Sequence, residues 1–516
     1  MTLLIDGFSR MLESGGWMFL LLGVVAGIII GSLPGLTGTM GMTLLLPFTY
    51  SLSADVGISL LIGIFAGAIY GGSISAILLR TPGTPAAGAT LIDGYPMAKK
   101  GQAGRALATS TIASAMGGLI GALILTFLAP TIAKIALHFG SPEYIWLAVY
   151  GLTMISFVSG KSLIKGYIAG IIGLLLATIG IDPISGTMRF TFGSLNLLSG
   201  VSLQAMLIGL FAIAQALSSV EEYNLPQAKQ MKIDKIGISR GDFLRILPHV
   251  IKSALIGTFV GAVPGTGTDI AAFLSYGEAK RSSKNAGEFG EGAIEGIAAP
   301  ESGNNACVNG ALIPMFTLGI PGEAGTAVLL GGLMVLGLTP GPLLFRDTPE
   351  VIYSVFAATI TSNLFIVVFG LLCARLFAKV LSLPKNLITV IIFSLALTGS
   401  YAMRNNVFDV LTTVAAGIAG YFMTKADYPV APVLLGIILG PTVEQNLSRA
   451  LLVSNGSYSI LFTRPISMLF IAIITLTMIS NLRKQYKHKK SKVDAIADEV
   501  AAEVSDMEQK GEEHAE

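Results

Sequence analysis

The sequence describes an all-α, polytopic membrane protein built from two homologous halves, and three observations lead to that reading. The first is composition: of 516 residues, 53% are hydrophobic and only 12% charged, with a mean hydropathy of +0.73. A soluble domain carries about twice that charge. The second is the recurrence of apolar runs from Trp17 to Ile479, which at about 20 residues per crossing allow roughly ten to twelve spans. The third is a repeated order of helix-breaking loops. Pro34-Gly35 and Pro82-Gly83 are followed at nearly constant spacing by Pro264-Gly265 and Pro321-Gly322, and Pro183 by Pro429. A duplicated unit with small insertions leaves such a pattern.

Taken in order, the amino terminus carries Asp6 and Glu13 without a basic region, so the first helix is expected to act as its own insertion signal. Trp17 to Leu33 runs into the first Pro-Gly break and Val56 to Leu79 into the second. The runs Leu107 to Leu137, Tyr144 to Val158, Leu163 to Ile181 and Val201 to Val220 complete a first transmembrane repeat over residues 1–220. Residues 221–245 form a charged linker, residues 246–482 a second repeat, and residues 483–516 a basic-then-acidic tail expected in the cytoplasm. Within the tail, Val493, Ile496, Val500, Val504 and Met507 recur at helical spacing, as in an amphipathic helix or a solvated acidic tail.

Two charge cues bear on the relation between the halves. The basic loops Ala98–Lys100 and Ala279–Arg281 follow the second break in one half and the first in the other, which makes the halves inverted if both loops face the cytoplasm. The linker (Lys229, Lys232, Lys235, Arg240, Arg245) and the tail (Arg483, Lys484, Lys487, Lys489, Lys490, Lys492) are both basic. Placing both inside requires an even number of crossings between them, as in parallel halves. Inverted repeats are the reading adopted here.

Backbone that leaves the helical path inside a bilayer persists only where protein or a watery cavity supplies hydrogen-bond partners. The breaks are therefore the candidate binding site, and the free N–H groups of the helices that restart there suit a carboxylate. The candidate substrate-binding residues are Gly35, Leu36, Thr37 and Gly38 in the first break and Gly83 and Thr84 in the second. Gly265, Thr266, Gly267 and Thr268 in the third are joined by Gly322, Gly325 and Thr326 in the fourth. Glycine permits close backbone approach, and hydroxyls add donors without a charge to bury. Asn304 and Asn305 add amides that can donate to an anion, although amides and small residues serve helix packing as well. Asp269 and Glu323, beside and within breaks, are the candidates for holding a coupling Na⁺ or proton. Glu301 reads as a capping or loop carboxylate facing solvent, and Arg80, Lys134, Arg189 and Arg375 read as side chains snorkelling to the interface.

Other classes of function find little in the chain. Cys307 and Cys373 are too few for a disulfide framework or a cysteine metal site, and the four histidines, His138, His249, His488 and His514, form no cluster in the membrane region. There is no GxxxxGK[ST] loop for nucleotide phosphates, so the energy for transport is expected from an ion gradient or a separate subunit. Nothing points to an enzyme, a metal centre or an organic cofactor. A net charge of +2 offers no surface for nucleic acid.

Five stretches carry a family resemblance: GSLPGLTGTMGMTLLLPFTY, YGGSISAILLRTPGTPAAGATLIDGYPMAKKGQAGRAL, GAVPGTGTDIAAFLSYGEAKR, GIPGEAGTAVLLGGLMVLGLTPGP and LGPTVEQNLSRALLVSNGSYSILFTRPIS. Over about Gly15 to Leu482 the chain resembles the large membrane permease subunit of the bacterial tripartite tricarboxylate transporters, the TctA-like proteins. The resemblance implies secondary, solute-binding-protein-dependent import of citrate or other di- and tricarboxylates, by symport across the bacterial inner membrane. It also implies two partners, a small membrane subunit and an extracytoplasmic solute-binding protein, besides the organic anion and membrane lipid. The tail after Leu482 lies outside the resemblance. A channel, or a carrier of a different small solute, is the alternative that a broken-helix site equally serves.

Overall fold

The computed structural model describes residues 2–158, 163–182, 185–221, 231–381 and 384–479. The expected tail helix, Pro183 and residues 222–230 of the linker lie outside these. Most of the described chain is helical, and its β structure is a two-residue antiparallel pairing of β1 (Gly180–Ile181) with β2 (Met188–Arg189).

The chain opens with the amphipathic α1 (Thr2–Glu13), which meets α2 (Gly16–Ser32) at an 80° bend where Gly15 adopts φ 76°. At the end of α2, Leu33 turns extended and Gly35 takes φ 90°. The chain then reverses into α3 (Gly38–Thr49), capped by the Thr37 hydroxyl, which accepts from the Met40 N–H at 3.2 Å. The long α4 (Ala54–Leu79) ends at Arg80 in the left-handed region, and the following residues double back until Gly83 donates its N–H to the Gly72 carbonyl at 3.2 Å. From there α5 (Ala87–Lys99) restarts, followed by α6 (Ala103–Ala136), α7 (Ser141–Val158), α8 (Leu163–Ala177) and α9 (Leu203–Glu221), the last with a π-helical stretch over Ile208–Ile213.

The second part begins at a capping box made by Ser239 and Asp242 on α10 (Arg240–Ala262). Val263 is extended, Gly265 takes φ 85°, and α11 (Gly267–Ser282) returns. Then α12 (Ile294–Leu318) ends at the left-handed Gly319, the chain doubles back, and α13 (Ala324–Val335) restarts. The remaining long helices are α14 (Pro349–Leu372), α15 (Lys385–Arg404), α16 (Val407–Lys425), α17 (Ala431–Val453) and α18 (Pro465–Ile479). Among the described residues, seven helices are long and apolar enough to cross a membrane, or eight if the bent α1–α2 pair counts as one span. The sequence runs allowed ten to twelve. The difference lies in helices such as α12, whose polar interior lowers its hydropathy, and α2, which is short.

Glycine sets the packing and reveals the direction of each helix. Gly23, Gly27 and Gly31 of α2 lie so close to α4 that a Cβ on each would stand 2.0–2.4 Å from the carbonyl oxygens of Leu60, Ile64 and Ala68. The numbers rise together, so α2 and α4 run the same way. Gly257 and Gly261 of α10 meet the carbonyls of Gly303 and Cys307 in the same fashion, so α10 runs with α12. Gly117 and Gly121 of α6 contact Ser302 and Ala306, so α6 runs with α12 as well. By contrast, Tyr70 bonds Thr111 and Ser73 bonds Ser110, which sets α4 against α6 and therefore against α12. The hairpin α2–α3 thus enters from the face where α4 begins, and the hairpin α10–α11 from the opposite face. Association of this kind relies on backbone approach and van der Waals contact, which lipid cannot match.

The outer helices exchange partners in the same sense. Gly170 and Ala177 of α8 pack on Gly436 and Gly440 of α17, and Gly209 and Leu210 of α9 pack on Thr413 and Gly420 of α16. Basic residues gather on the face where α4 ends. Arg80 lies over the Tyr95 ring, Lys100 donates to the Glu291 carbonyl, and Arg375 to that of Asp234. On the same face Lys165 reaches Ala426 and Lys425 pairs with Glu221. The opposite face carries mainly neutralised pairs, Arg10 with Asp55, Arg404 with Asp409 and Arg464 with Glu143.

Candidate functional site

The tips of both hairpins and both doubled-back segments surround one cavity of about 540 Å³. Four helices begin at its wall. Thr37, Gly38 and Thr39 open α3, Thr84 and Pro85 precede α5, Gly265 to Ile270 open α11, and Glu323 to Gly325 open α13. Each start leaves N–H groups without intrahelical partners and a partial positive charge directed at the cavity, a combination that attracts anions. Apolar walls come from Phe65, Ile69, Leu210 and Phe211. The cavity extends past Gln215 and Ser218 of α9 to Thr424 at the end of α16, towards the basic face.

Two carboxylates stand among these positive helix ends. Glu323 accepts the Thr268 N–H on Oε2 at 3.2 Å, across the gap between α13 and α11, while its buried Oε1 has no partner among the described residues. Asp269 is exposed to the cavity, and its Oδ1 lies 2.6 Å from where a Gly267 side chain would begin. Gly267 itself adopts φ 78°, a backbone that side chains strain. The hydroxyl of Thr266 turns inward to the Val263 carbonyl at 2.9 Å and also reaches Val260, which fixes the hairpin tip. The Glu323 N–H donates to Thr326 Oγ1 at 2.9 Å and so fixes the start of α13.

Of the residues singled out from the sequence, Thr37, Gly38, Thr84, Gly265, Thr266, Gly267, Thr268 and Gly325 line the cavity together with Asp269 and Glu323. The others stand behind it. Leu36 packs into the core beside Ile208 and Met40, and Gly35 gives its carbonyl to the Gln215 amide at 2.9 Å. Gly83 lies on α2, where a Cβ would stand 2.0 Å from the Gly31 carbonyl, and Gly322 lies on Ala311. Thr326 serves as a cap. Asn304 and Asn305 sit in the middle of α12 and bond one another. Neither lines the cavity.

Glu301 departs from its expected place in solvent. It is fully buried within α12, because the helix continues through Pro300 and its polar residues find partners on neighbouring helices. Ser302 reaches the Val250 carbonyl and Asn309 that of Gly118. Arg189 does not snorkel either, since its guanidinium forks onto Glu444. Gln215 and Ser218 escaped notice in the sequence, although two polar residues three apart in the run Val201 to Val220 are a readable sign. Among the described residues no cluster of His, Cys, Asp and Glu could hold a metal ion.

The family model for the tripartite tricarboxylate transporter TctA family matches residues 17–435. A protein of Agrobacterium vitis, described as an uncharacterized 52.8 kDa protein in the TAR-I ttuC' 3'region, is 36% identical over 487 residues, which is 94% of this chain and 97% of that protein. A second protein of the same organism, uncharacterized and in the TAR-II ttuC' 3'region, is 36% identical over 237 residues, 46% of this chain and 98% of that protein. No solved structure matches the chain. With the model covering most of its length, the chain belongs to the tripartite tricarboxylate transporter TctA family.

Proposed function

We propose that the chain is the permease subunit of a secondary importer that carries small organic anions, di- and tricarboxylates such as citrate, down a Na⁺ or proton gradient. Convergence of four helix N-termini on one cavity is the observation that carries this reading. Backbone N–H groups and the hydroxyls of Thr37, Thr39, Thr84 and Thr268 would hold the carboxylates of the substrate without a buried fixed cation. Asp269 and Glu323 would hold the coupling cation beside them, so that anion and cation neutralise each other in the loaded state.

The halves are read as inverted repeats. Each has a hairpin, a long helix ended by a left-handed residue, a doubled-back segment and a restarting half-helix, in that order. Gly83 stands against Gly72 as Gly322 stands against Ala311, and the two hairpins enter from opposite faces. With an odd number of crossings in each half and α18 added at the end, linker and tail would share one face, and the two charge cues would agree. By the excess of Lys and Arg we read that face as the cytoplasm of a bacterial inner-membrane protein, and the cavity extends towards it. Substrate would arrive at the other face from an extracytoplasmic solute-binding protein, with a small membrane subunit completing the assembly.

Uptake of radiolabelled citrate and a panel of dicarboxylates tests this, in vesicles holding the chain with its small subunit and binding protein, under imposed sodium or proton gradients. Accumulation above the outside concentration under either gradient is expected. Equilibration without accumulation would make the protein a channel, and no movement of any carboxylate would point to another solute.

A further inference from the structure

Outside the cavity, Glu301 is a buried acid whose hydrogen-bonding partners among the described residues are neutral hydroxyls. Glu301 lies at the junction of α12 with α5 and α6, fully buried. The Thr90 hydroxyl of α5 bonds Oε1, and the Ser114 hydroxyl of α6 bonds Oε2 at 2.7 Å. Asn304, one turn further along α12, is equally buried, and its Nδ2 has no partner among the described residues. Every group around the acid is neutral.

The charged groups of the surrounding helices are engaged elsewhere. On α5, Asp93 accepts the backbone N–H groups of Gly290, Gly292 and Ala293. On α6, Arg105 pairs with Asp242. On α10, Arg245 pairs with Glu288 and Glu295, Lys252 pairs with Glu278, and His249 faces these same groups. On α11 and α13, Asp269 and Glu323 stand at the cavity, and Arg281 pairs with Glu278. The titratable neighbour on α4 is the Tyr70 phenol, itself bonded to Thr111.

An ionised carboxylate so placed loses its hydration without gaining a counter-charge, which carries a heavy penalty. A metal cation would remove that penalty only by standing between the carboxylate and its ligands, whereas here the hydroxyls touch the carboxylate oxygens directly. A proton needs no such room. We propose that Glu301 carries an exchangeable proton at the junction of α5 and α6 with α12, held while the junction is closed and released when it parts. The inference rests on reading the protein as a gradient-driven carrier whose two halves move against each other. In the step itself the O–H bond of Glu301 breaks and the proton passes to water entering the junction. When the halves reverse, the carboxylate takes a proton from water of the opposite face before the junction closes again, so one proton crosses per cycle with no other bond changed.

The test uses the full chain reconstituted in lipid. Infrared spectra at neutral pH are expected to show the C=O stretch of a buried carboxylic acid that disappears in Glu301→Gln, and identical spectra for the two would overturn the inference. In vesicles with the partner subunits, Glu301→Gln is expected to lower citrate accumulation driven by a proton gradient by at least about tenfold. Undiminished accumulation in the variant would overturn this inference alone. A wild-type chain that accumulates no carboxylate under any gradient would overturn the carrier reading and this inference with it. Should the Gln variant fail to fold, Ser114→Ala keeps the acid and removes one donor. It is expected to displace the pH profile of uptake, and an unmoved profile would count against a proton on Glu301.

Discussion

The two hairpin tips are close relatives in backbone and differ in charge, the first neutral and the second acidic. Leu33 and Val263 turn extended in the same way, Gly35 and Gly265 both take a left-handed φ, and a helix restarts within a few residues of each. Counting from the shared Pro-Gly, Thr39 of the first tip stands where the second has Asp269, and Thr84 of the first doubled-back segment stands where the second has Glu323. All four line the cavity. The amino-terminal part therefore offers hydroxyls and the carboxyl-terminal part carboxylates, on matching scaffolds. A cavity meant for an anion alone would gain nothing from two acids, since like charges in one enclosed space repel. On the proposed reading, their confinement to one side divides the labour, with anion recognition shared and cation recognition local.

Removing the difference gives the largest effect. Asp269→Asn combined with Glu323→Gln makes both sides neutral, and gradient-driven accumulation of labelled citrate in vesicles is expected to fall about a hundredfold, the scale of losing a buried charged partner. Accumulation that survives the pair would end the proposed division. Thr84→Glu pushes the other way by giving the first side a carboxylate. Citrate affinity, followed by tryptophan quenching or calorimetry on the purified chain, is expected to weaken at least about tenfold, because a like charge now faces the anion. Gly267→Ala leaves charge untouched and strains the second tip. The left-handed backbone and the contact with Asp269 are expected to cost about 1–2 kcal/mol, read as a lower midpoint of thermal unfolding. Thr84→Val is the mildest: Oγ1 has no partner among the described residues, so stability should hold while citrate affinity drops about fivefold, the worth of one neutral hydrogen bond.

Much of this arrangement could be read from the chain before any coordinates. Proline and glycine in apolar runs marked where helices stop, and the hydroxyls beside them marked which stops face something polar. What the sequence withheld was depth and direction. PESGNN looks like a loop because its residues are polar and follow a proline, yet α12 runs through it, since α5, α6 and α10 supply bonding partners that only packing can reveal. Phe65 and Phe211 resemble any core aromatic until the cavity opens beside them. Nor does a Gly-rich helix announce which neighbour its glycines approach. Gly31 and Gly257 were legible as small residues, but their contacts with Ala68 and Gly303, from which the opposed entry of the hairpins follows, belong to the tertiary structure.

The helix starts that line the cavity have a consequence for how this protein can change over generations. Their attraction for an anion resides in the peptide units themselves, which every residue type except proline supplies with an N–H. Drift in the side chains of α3, α5, α11 and α13 can therefore reshape which anion fits while the pull on negative charge persists. On the proposed reading, a lineage built on this scaffold can explore new substrates one replacement at a time.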